Sequence, residues 1–409
     1  MKLLYVTQYY PPETGAGATR AEAMVRYLSA LGWEIDVVTE LPNYPEGKIH
    51  SNYHSSFFKR EQTGSITVNR IWVWANRRET FLQQIAFFTS FMVSSFLYLI
   101  LNPRKYNVIY VSSPPIFGAI SSCIISKIFR SPFVLEVRDL WPDSATGIGA
   151  FSQNSHWYQF GKRIEKWLYK KADLIIPVTK KSEQYILNQY PDTKTFVIPN
   201  GVDIRQFRPI ENAYDLLEES LNNNKFRVGF VGSLGVIHDF RTTLRAAKIC
   251  ERDPDIEFVI IGDGRNRSLL LKLMKDYQSK NIRWLGLKNH SKIPAYISTF
   301  DIGINPVNDT DIFKTIVTVK FYEYLACNVP VISLARGLMK EFGEQSESAI
   351  TLEPGNGQKL AETILFLKSN PDQLEQLRTQ ARDWVIKNYD REKWAGILSS
   401  LLKERFIDS

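Results

Sequence analysis

At 409 residues and 47.2 kDa, the chain is too long for one ordinary core, and about 100–200 residues per domain gives two or three domains. Its 44% hydrophobic and 23% charged residues exclude a disordered chain, a collagen-like chain and a multi-span membrane protein. The net charge is +8, of which residues 1–200 carry +7 (22 basic against 15 acidic); it calls for an anionic partner, whether nucleic acid, a membrane surface or a phosphorylated small molecule.

Leu3-Leu4-Tyr5-Val6-Thr7 reads as a short buried strand rather than the apolar core of a secretory signal. A loop with Pro11-Pro12, Gly15 and Gly17 follows. Ala18–Leu31 has helical spacing, with Ala23, Tyr27, Leu28 and Leu31 on one face and Gly32 as the stop. Ile35–Thr39 is the next strand, and this strand–loop–helix–strand order builds a parallel sheet. Val108–Ser112, Phe133–Val137, Leu174–Val178 and Thr195–Ile198 continue the series. A second series comprises Arg227–Val231, Ile256–Ile261, Ile282–Leu285, Ile302–Ile304 and Val329–Ser333. The expected break lies at Pro199–Pro209, beside an exposed Asn-rich insertion over Glu211–Lys225.

One segment stands apart. Residues 81–101 are mostly apolar, rich in aromatics and long enough to span a bilayer. Gln83, Gln84, Ser90, Ser94 and Ser95 interrupt them, and Arg77-Arg78 and Arg104-Lys105 flank both ends, so the charges set no orientation. A buried helix, an interfacial helix and a true span stay open, and Phe87, Phe88 and Phe91 are expected to meet lipid in the second case. Cys123, Cys250 and Cys327 are too scattered for a disulfide framework or a zinc site, which suits a reducing compartment.

Several strand ends carry residues suited to anions and sugars. Gly15-Ala16-Gly17 lets backbone N–H groups approach an anion at a helix start. Phe230-Val231-Gly232-Ser233-Leu234-Gly235 reads as a diphosphate cradle at a strand end, or else as a glycine-rich turn only, with His238 and Arg241 close by, and a helix is expected from Phe240. Gly262-Asp263-Gly264-Arg265 makes a sharp turn, with Arg265 opening the next helix as a phosphate partner. Lys320 and Glu323, three apart on a helix, share a face; the amine suits phosphate and the carboxylate suits vicinal hydroxyls. Arg138-Asp139-Leu140-Trp141-Pro142-Asp143 offers carboxylates, a guanidinium and an indole face to a sugar. Asp309-Thr310-Asp311 is not read as a metal site, His50 and His54 lack the zinc-protease glutamate, and no hydrolase elbow or Walker loop is present.

With these motifs placed, the chain resembles glycosyltransferase family 4. The match rests on Val197-Ile198-Pro199-Asn200-Gly201-Val202-Asp203 followed by Phe207 and Pro209, and on the order of the glycine loops ahead of Glu323-Tyr324-Leu325-Ala326-Cys327-Asn328-Val329-Pro330. Pro42-Asn43-Tyr44-Pro45-Glu46-Gly47-Lys48, Ser113-Pro114-Pro115 and Arg138–Pro142 look like the branch of bacterial N-acetyl-L-fucosamine transferases of O-antigen and capsule synthesis. The resemblance implies an α/β GT-B fold, two Rossmann-like domains with parallel sheets facing across a cleft. The domains expected are 1–200 for the acceptor, with 81–101 facing the membrane, and 201–385 for the donor. Residues 386–409 form a C-terminal helix packing back on the first domain.

The implied function is retaining transfer from a nucleotide diphosphate sugar, such as UDP-N-acetyl-fucosamine, to a lipid-linked saccharide. No cofactor or metal is required on this reading. The partners are the nucleotide sugar, the lipid-linked acceptor and an anionic membrane surface, without nucleic acid, and the place is the cytoplasmic face of the bacterial inner membrane. The donor residues are Gly232, Ser233, Gly235, His238, Gly262, Gly264, Arg265, Lys320 and Glu323, with the base near Gly262–Gly264 and Gly286. Gly15, Gly17, Tyr44, Asp139 and Trp141 line the acceptor's path, and Arg138, Asp139 and Glu323 are the catalytic candidates. The departures lie at Ser233 and His238, where the family carries cations, at Thr315 in place of a first glutamate, and at Arg138-Asp139 in place of His-Asp. The alternatives are a GT-B epimerase or phosphorylase, and a non-enzymatic basic protein that binds membranes or nucleic acid.

Overall fold

The computed structural model describes residues 1–44, 46–54, 56–78, 80–147, 151–217, 221 and 224–408. Pro45 of the Pro42–Lys48 motif, and Asn222 and Asn223 of the Asn-rich insertion, lie outside the described residues. The chain forms two compact units, Met1–Asn200 with Arg391–Ser409, and Gly201–Asp390.

The first unit runs β1 (Lys2–Val6), α1 (Ala16–Ala30), β2 (Glu34–Glu40), β3 (Phe58–Thr63), β4 (Ile66–Ile71), α2 (Phe81–Leu101) and β5 (Val108–Ser113). It continues with α3 (Phe117–Phe129), β6 (Phe133–Val137), α4 (Asp143–Gly147), α5 (His156–Lys171), β7 (Leu174–Pro177) and α6 (Lys180–Gln189). The strand order is β3-β4-β2-β1-β5-β6-β7. Successive residues of β1 feed opposite faces: Leu3 and Tyr5 join one buried cluster, Leu4 and Val6 the other, as period-two geometry requires of a sheet covered on both sides.

The sheet is not wholly parallel. β3 pairs antiparallel with β4 and was not anticipated, because Phe-Lys-Arg-Glu-Gln-Thr is a polar, exposed edge with no apolar run. Thr195–Ile198, expected as a strand, makes one bridge, Ile175 to Thr195. Phe196 N and Ile198 N donate to Ile175 O and Pro177 O at 3.0 Å each, and Pro199 then has no N–H to extend the ladder.

The second unit runs β8 (Phe226–Val231), α7 (Phe240–Cys250), β9 (Ile256–Ile261), α8 (Arg267–Tyr277), β10 (Ile282–Trp284), α9 (Ile293–Ser298) and β11 (Ile302–Pro306). Then come α10 (Val319–Ala326), β12 (Val331–Leu334), α11 (Leu338–Ser346), β13 (Ala349–Leu352), α12 (Gly357–Ser369), α13 (Pro371–Thr379) and α14 (Ala381–Tyr389). Its sheet, β10-β9-β8-β11-β12-β13, is parallel throughout.

The final helix, α15 (Arg391–Phe406), belongs to the first unit. Its Ala395, Leu398 and Leu402 are fully buried in that core, and Trp33 Nε1 donates to Ser399 Oγ at 2.8 Å. The expected boundary at 385 falls inside α14, which stays in the second unit, so the returning segment starts at Arg391 rather than 386. With α15 counted, the first unit holds 26 basic and 18 acidic residues and the second 25 of each. The whole +8 therefore sits on the first unit.

Residues 81–101 form one helix, α2, started by a capping box between Thr80 and Gln83. Phe87, Phe91, Ser95 and Leu99, spaced by four, are buried. Ser95 Oγ meets Ser121 Oγ of α3 at 2.8 Å. This corrects the lipid-facing expectation: Phe87 and Phe91 are core residues, and Phe88 stacks on Phe117 with ring centroids 5.6 Å apart.

The join is held on each side. Buried Arg20 donates to Ile198 O at 3.1 Å and Pro199 O at 2.5 Å, and Arg391 Nε to Asn200 O at 2.9 Å. Past Gly201, Val202 N donates to Tyr389 O at 2.9 Å, and Asp203 Oδ1 accepts from Arg205 N and Gln206 N. The Pro-Asn-Gly-Val-Asp motif is thus a structural joint.

Candidate active site

Ligands of open parallel sheets sit beyond the carboxyl ends of strands, where the strand order reverses. In the second unit that point lies between β8 and β11, below the Gly232–His238 loop. His238 forms an antiparallel bridge to Val307, just past β11. Lys320, in the first turn of α10, projects into this corner. Its Nζ lies 2.7 Å from His238 Nε2 and 4.0 Å from the centre of the Phe230 ring. Both Lys320 and His238 are more than nine-tenths buried.

No carboxylate pairs with the amine within ion-pair distance among the described residues. Burial drives the Lys320 pKa well below its ordinary value, against the opposing pull of Glu323. Burial, and then the Lys320 charge, likewise depress His238. His238 is therefore a neutral imidazole whose Nε2 accepts from Lys320. It seats the Lys320 amine.

Helix ends sharpen the site. Asp239 caps α7, its Oδ1 accepting from Thr242 N at 3.2 Å. A carboxylate thus already occupies the helix start expected to hold phosphate. The N-terminus of α10 has no side-chain cap, although Phe321 N donates to Thr318 O at 3.1 Å; its remaining first-turn N–H groups and Lys320 together suit an anion. Thr318 Oγ1 donates to Asn305 Oδ1 at 3.2 Å, fixing the entry to this helix.

Three loops interlock beside it. Gly232 N donates to Ile261 O, Leu234 N to Asp263 O, and Gly262 N to Gly286 O, at 2.8–3.0 Å. Gly262 has φ +135°, and a Cβ there would lie 1.9 Å from Gly232 O. Gly232 itself lets Lys320 through, since a Cβ would sit 2.9 Å from its Cε. We expect Gly262→Ala to part these loops, costing about 2–4 kcal/mol; thermal unfolding and nucleotide titration of the variant measure both losses.

The structure thus gathers Gly232, Gly235, His238, Gly262, Gly264 and Lys320 in one corner. Glu323 is half-buried one turn along α10, and Ser233 is exposed on the loop. Arg265 does not open a helix: it is exposed in the turn before α8, whose cap is Asn266. Asp239 escaped sequence reasoning, because it follows the Phe230–Gly235 motif and precedes the expected helix start. Of the discounted acidic pair, Asp309 meets Arg336 at 2.8 Å and Asp311 pairs with Lys314.

In the first unit the order reverses between β1 and β5. The α1 N-terminus is capped only by Gly15, without a side chain. Arg138 Nε donates to Ser112 Oγ at 3.0 Å and its Nη2 to Pro114 O. The guanidinium lies against Gly17, where a Cβ would come 2.5 Å from Nη1. Gly15, Gly17 and Arg138 therefore converge as a second anion-friendly corner. Asp139 is half-buried beside it, with its pKa raised by burial. Trp141 is committed elsewhere: a Cβ on Gly161 would lie 2.9 Å from its Cη2, and it meets Phe117 edge-on. Its ring edge packs against Gly161 of α5.

Two α/β units of this topology define the class of GT-B glycosyltransferases. Residues 15–201 match the glycosyl transferase 4-like domain, and residues 216–384 match the glycosyl transferases group 1 domain. The chain carries both and is a glycosyltransferase. It is 24% identical over 405 residues to WcaI of Escherichia coli strain K12, a protein named for colanic acid biosynthesis, covering 95% of this chain and 96% of that one. Over 226 residues it is 30% identical to the UDP-Gal:alpha-D-GlcNAc-diphosphoundecaprenol alpha-1,3-galactosyltransferase of Escherichia coli, covering 51% and 54%. Sucrose-phosphate synthase from Thermosynechococcus elongatus has the same fold, with a TM-score of 0.76 at 18% identity over 100% of both chains. Anabaena HepE, solved with UDP and glucose, gives 0.72 at 17% over 98% of this chain and 99% of that one.

Proposed function

We propose that this glycosyltransferase moves a sugar from a UDP-sugar, UDP-N-acetyl-fucosamine or a close analogue, to a lipid-linked saccharide in bacterial surface polysaccharide synthesis, with retention at the sugar carbon. The observation that carries the donor assignment is Lys320, a buried amine without a carboxylate partner among the described residues, set at a switch point beside an uncapped helix. A diphosphate supplies the missing negative charge, and its departure as UDP is stabilised by that amine and the α10 N–H groups. Exposed Arg265 and Ser233 reach the outer phosphate oxygens, and Glu323 accepts from hydroxyls of the donor. The base lies over Gly262–Gly264 and Gly286.

Arg138 and the α1 N-terminus take the acceptor's phosphate, and Asp139 orients its attacking hydroxyl. A saccharide-diphospholipid acceptor is supported by the acceptor in the name of the galactosyltransferase relative. The fucosamine branch is supported by Pro42–Lys48 and Arg138–Pro142. Such an acceptor places the enzyme peripherally on the cytoplasmic face of the membrane.

A thermal-shift screen of nucleotide sugars tests the donor, since ligand raises Tm by mass action. UDP-sugars should stabilise the protein, with and without chelator. No shift with UDP or any UDP-sugar removes the donor assignment, and an epimerised sugar formed without acceptor removes the transferase reading.

A further inference from the structure

The first unit leaves an unusual amount of apolar surface open along α2, α3 and α5. α2 is apolar on two sides. Opposite its buried row, Leu82, Val93, Leu97 and Leu101 form a second row at helical spacing, with exposures of 72, 46, 50 and 75%. On α3, which packs against α2, Ile124 and Ile128 are also exposed. A soluble surface helix presents polar residues outward; this pair does not.

Aromatic side chains rim these rows. Trp157, Phe160 and Trp167 of α5 are 48, 54 and 37% exposed and recur at helical spacing. Phe81, the first residue of α2, meets Trp157 with ring centroids 5.3 Å apart, so the two helices share one seam. Near the sheet edge, Trp74 is 56% exposed and its N–H donates to Ser90 Oγ of α2 at 2.9 Å. Phe58 stacks on Tyr98 of α2 at 5.2 Å.

Charge on these three helices is mostly basic. α2, α3 and α5 together contain one carboxylate, Glu165, whose side chain is fully buried and ion-paired to Lys162. The exposed ionised groups of α3 and α5 are all basic: Lys127, Arg163, Lys166, Lys170 and Lys171. Lys166 and Lys170 also line a cavity of about 1070 Å³, whose charged residues are four basic, with Lys194 and Arg405, against two acidic, Asp173 and Asp192.

We infer that α5 is a membrane-contact helix, joined to the outer rows of α2 and α3, and that this surface docks on an anionic phospholipid bilayer. Aromatic rings at a rim, apolar rows between them and an excess of lysines over carboxylates match the interface between acyl chains and anionic headgroups. α2 lies along this interface and does not cross it, because its row Phe87-Phe91-Ser95-Leu99 is fixed in the protein core. The inference rests on the peripheral location proposed above, but neither donor binding nor catalysis enters it.

The test is flotation of the full-length protein with vesicles of phosphatidylglycerol and phosphatidylcholine, and with phosphatidylcholine alone. Wild type should float with the anionic vesicles only, and less at high salt. Trp157→Ser with Phe160→Ser and Trp167→Ser should lower partitioning at least about tenfold, and Lys166→Glu with Lys170→Glu should remove the salt-sensitive part. UDP affinity should be unchanged in both variants, which shows that they are folded. Undiminished flotation of the α5 variants, or no preference of wild type for anionic vesicles, overturns the inference. Loss of UDP binding by wild type would strike the donor reading and leave this one standing.

Discussion

Lys320→Met should weaken UDP binding by about 10–150-fold, the worth of a hydrogen bond to a charged group, while leaving the fold equally stable or more so. The two effects have opposite signs for one reason. In the free protein the amine is desolvated against His238 and Phe230, and the pull of Glu323 does not offset that burial. An apolar side chain of similar length removes that penalty, but it also removes the group that meets the diphosphate. A residue with a purely structural role would lose stability and affinity together. pH supplies a second reading. The Lys320 pKa is depressed in the folded protein by burial, so the folded state binds fewer protons than the unfolded chain over the window between the depressed value and the ordinary value near 10.5. Stability from this group therefore rises with pH across that window. UDP restores the charge, so its binding should take up a proton and strengthen as pH falls. Calorimetry in buffers of different ionisation enthalpy measures the uptake, which should vanish in Lys320→Met.

Arg20→Ala should cost the first unit about 3–5 kcal/mol, or roughly 10 °C in Tm. Arg20 Nη2 and Glu136 Oε1 are 2.8 Å apart, with side chains 1 and 0% exposed. Tyr110 OH and Ser112 Oγ donate to the same carboxylate at 2.7 and 2.6 Å. Burial alone would raise the Glu136 pKa, but Arg20 and these donors outweigh it and hold the pKa below the usual value. Stability from this group is present above the unfolded carboxylate's pKa and is lost as pH falls through the depressed one. In the variant the carboxylate is stranded, so the deficit should be largest near pH 8 and shrink toward pH 5 as Glu136 protonates. Adding Glu136→Gln should recover part of the loss. Equal melting of wild type and Arg20→Ala at pH 8 would contradict the account.

Most of the parallel architecture was legible, because most inner strands are short apolar, β-branched runs. β3, β4 and β13 were not: β3 is a polar edge, β4 (Ile66–Ile71) mixes Thr67, Asn69 and Arg70 into its run, and β13, Ala349–Leu352, is four half-buried residues. The donor corner was legible as residue types and misread as roles. Spacing placed Lys320 and Glu323 on one helix, yet only burial shows that the lysine turns inward to His238, 82 residues away. Likewise the apolar length of α2 was plain, but a helix with a second apolar row looks the same in sequence whether its inner row is Phe87 and Phe91 or Leu97 and Leu101.

The placement of α15 sets an order of completion. The first unit is interrupted by 190 residues of the second, Gly201–Asp390, and Ala395, Leu398 and Leu402 arrive only afterwards to fill its core. Synthesis proceeds from the N-terminus, and domains generally fold as they emerge. Here the half translated first must wait, with the α1 face that α15 covers still bare, until the other half has been made. The second unit is continuous and finishes ahead of it, so the half bearing all the net charge and the broad apolar surface is the last to mature.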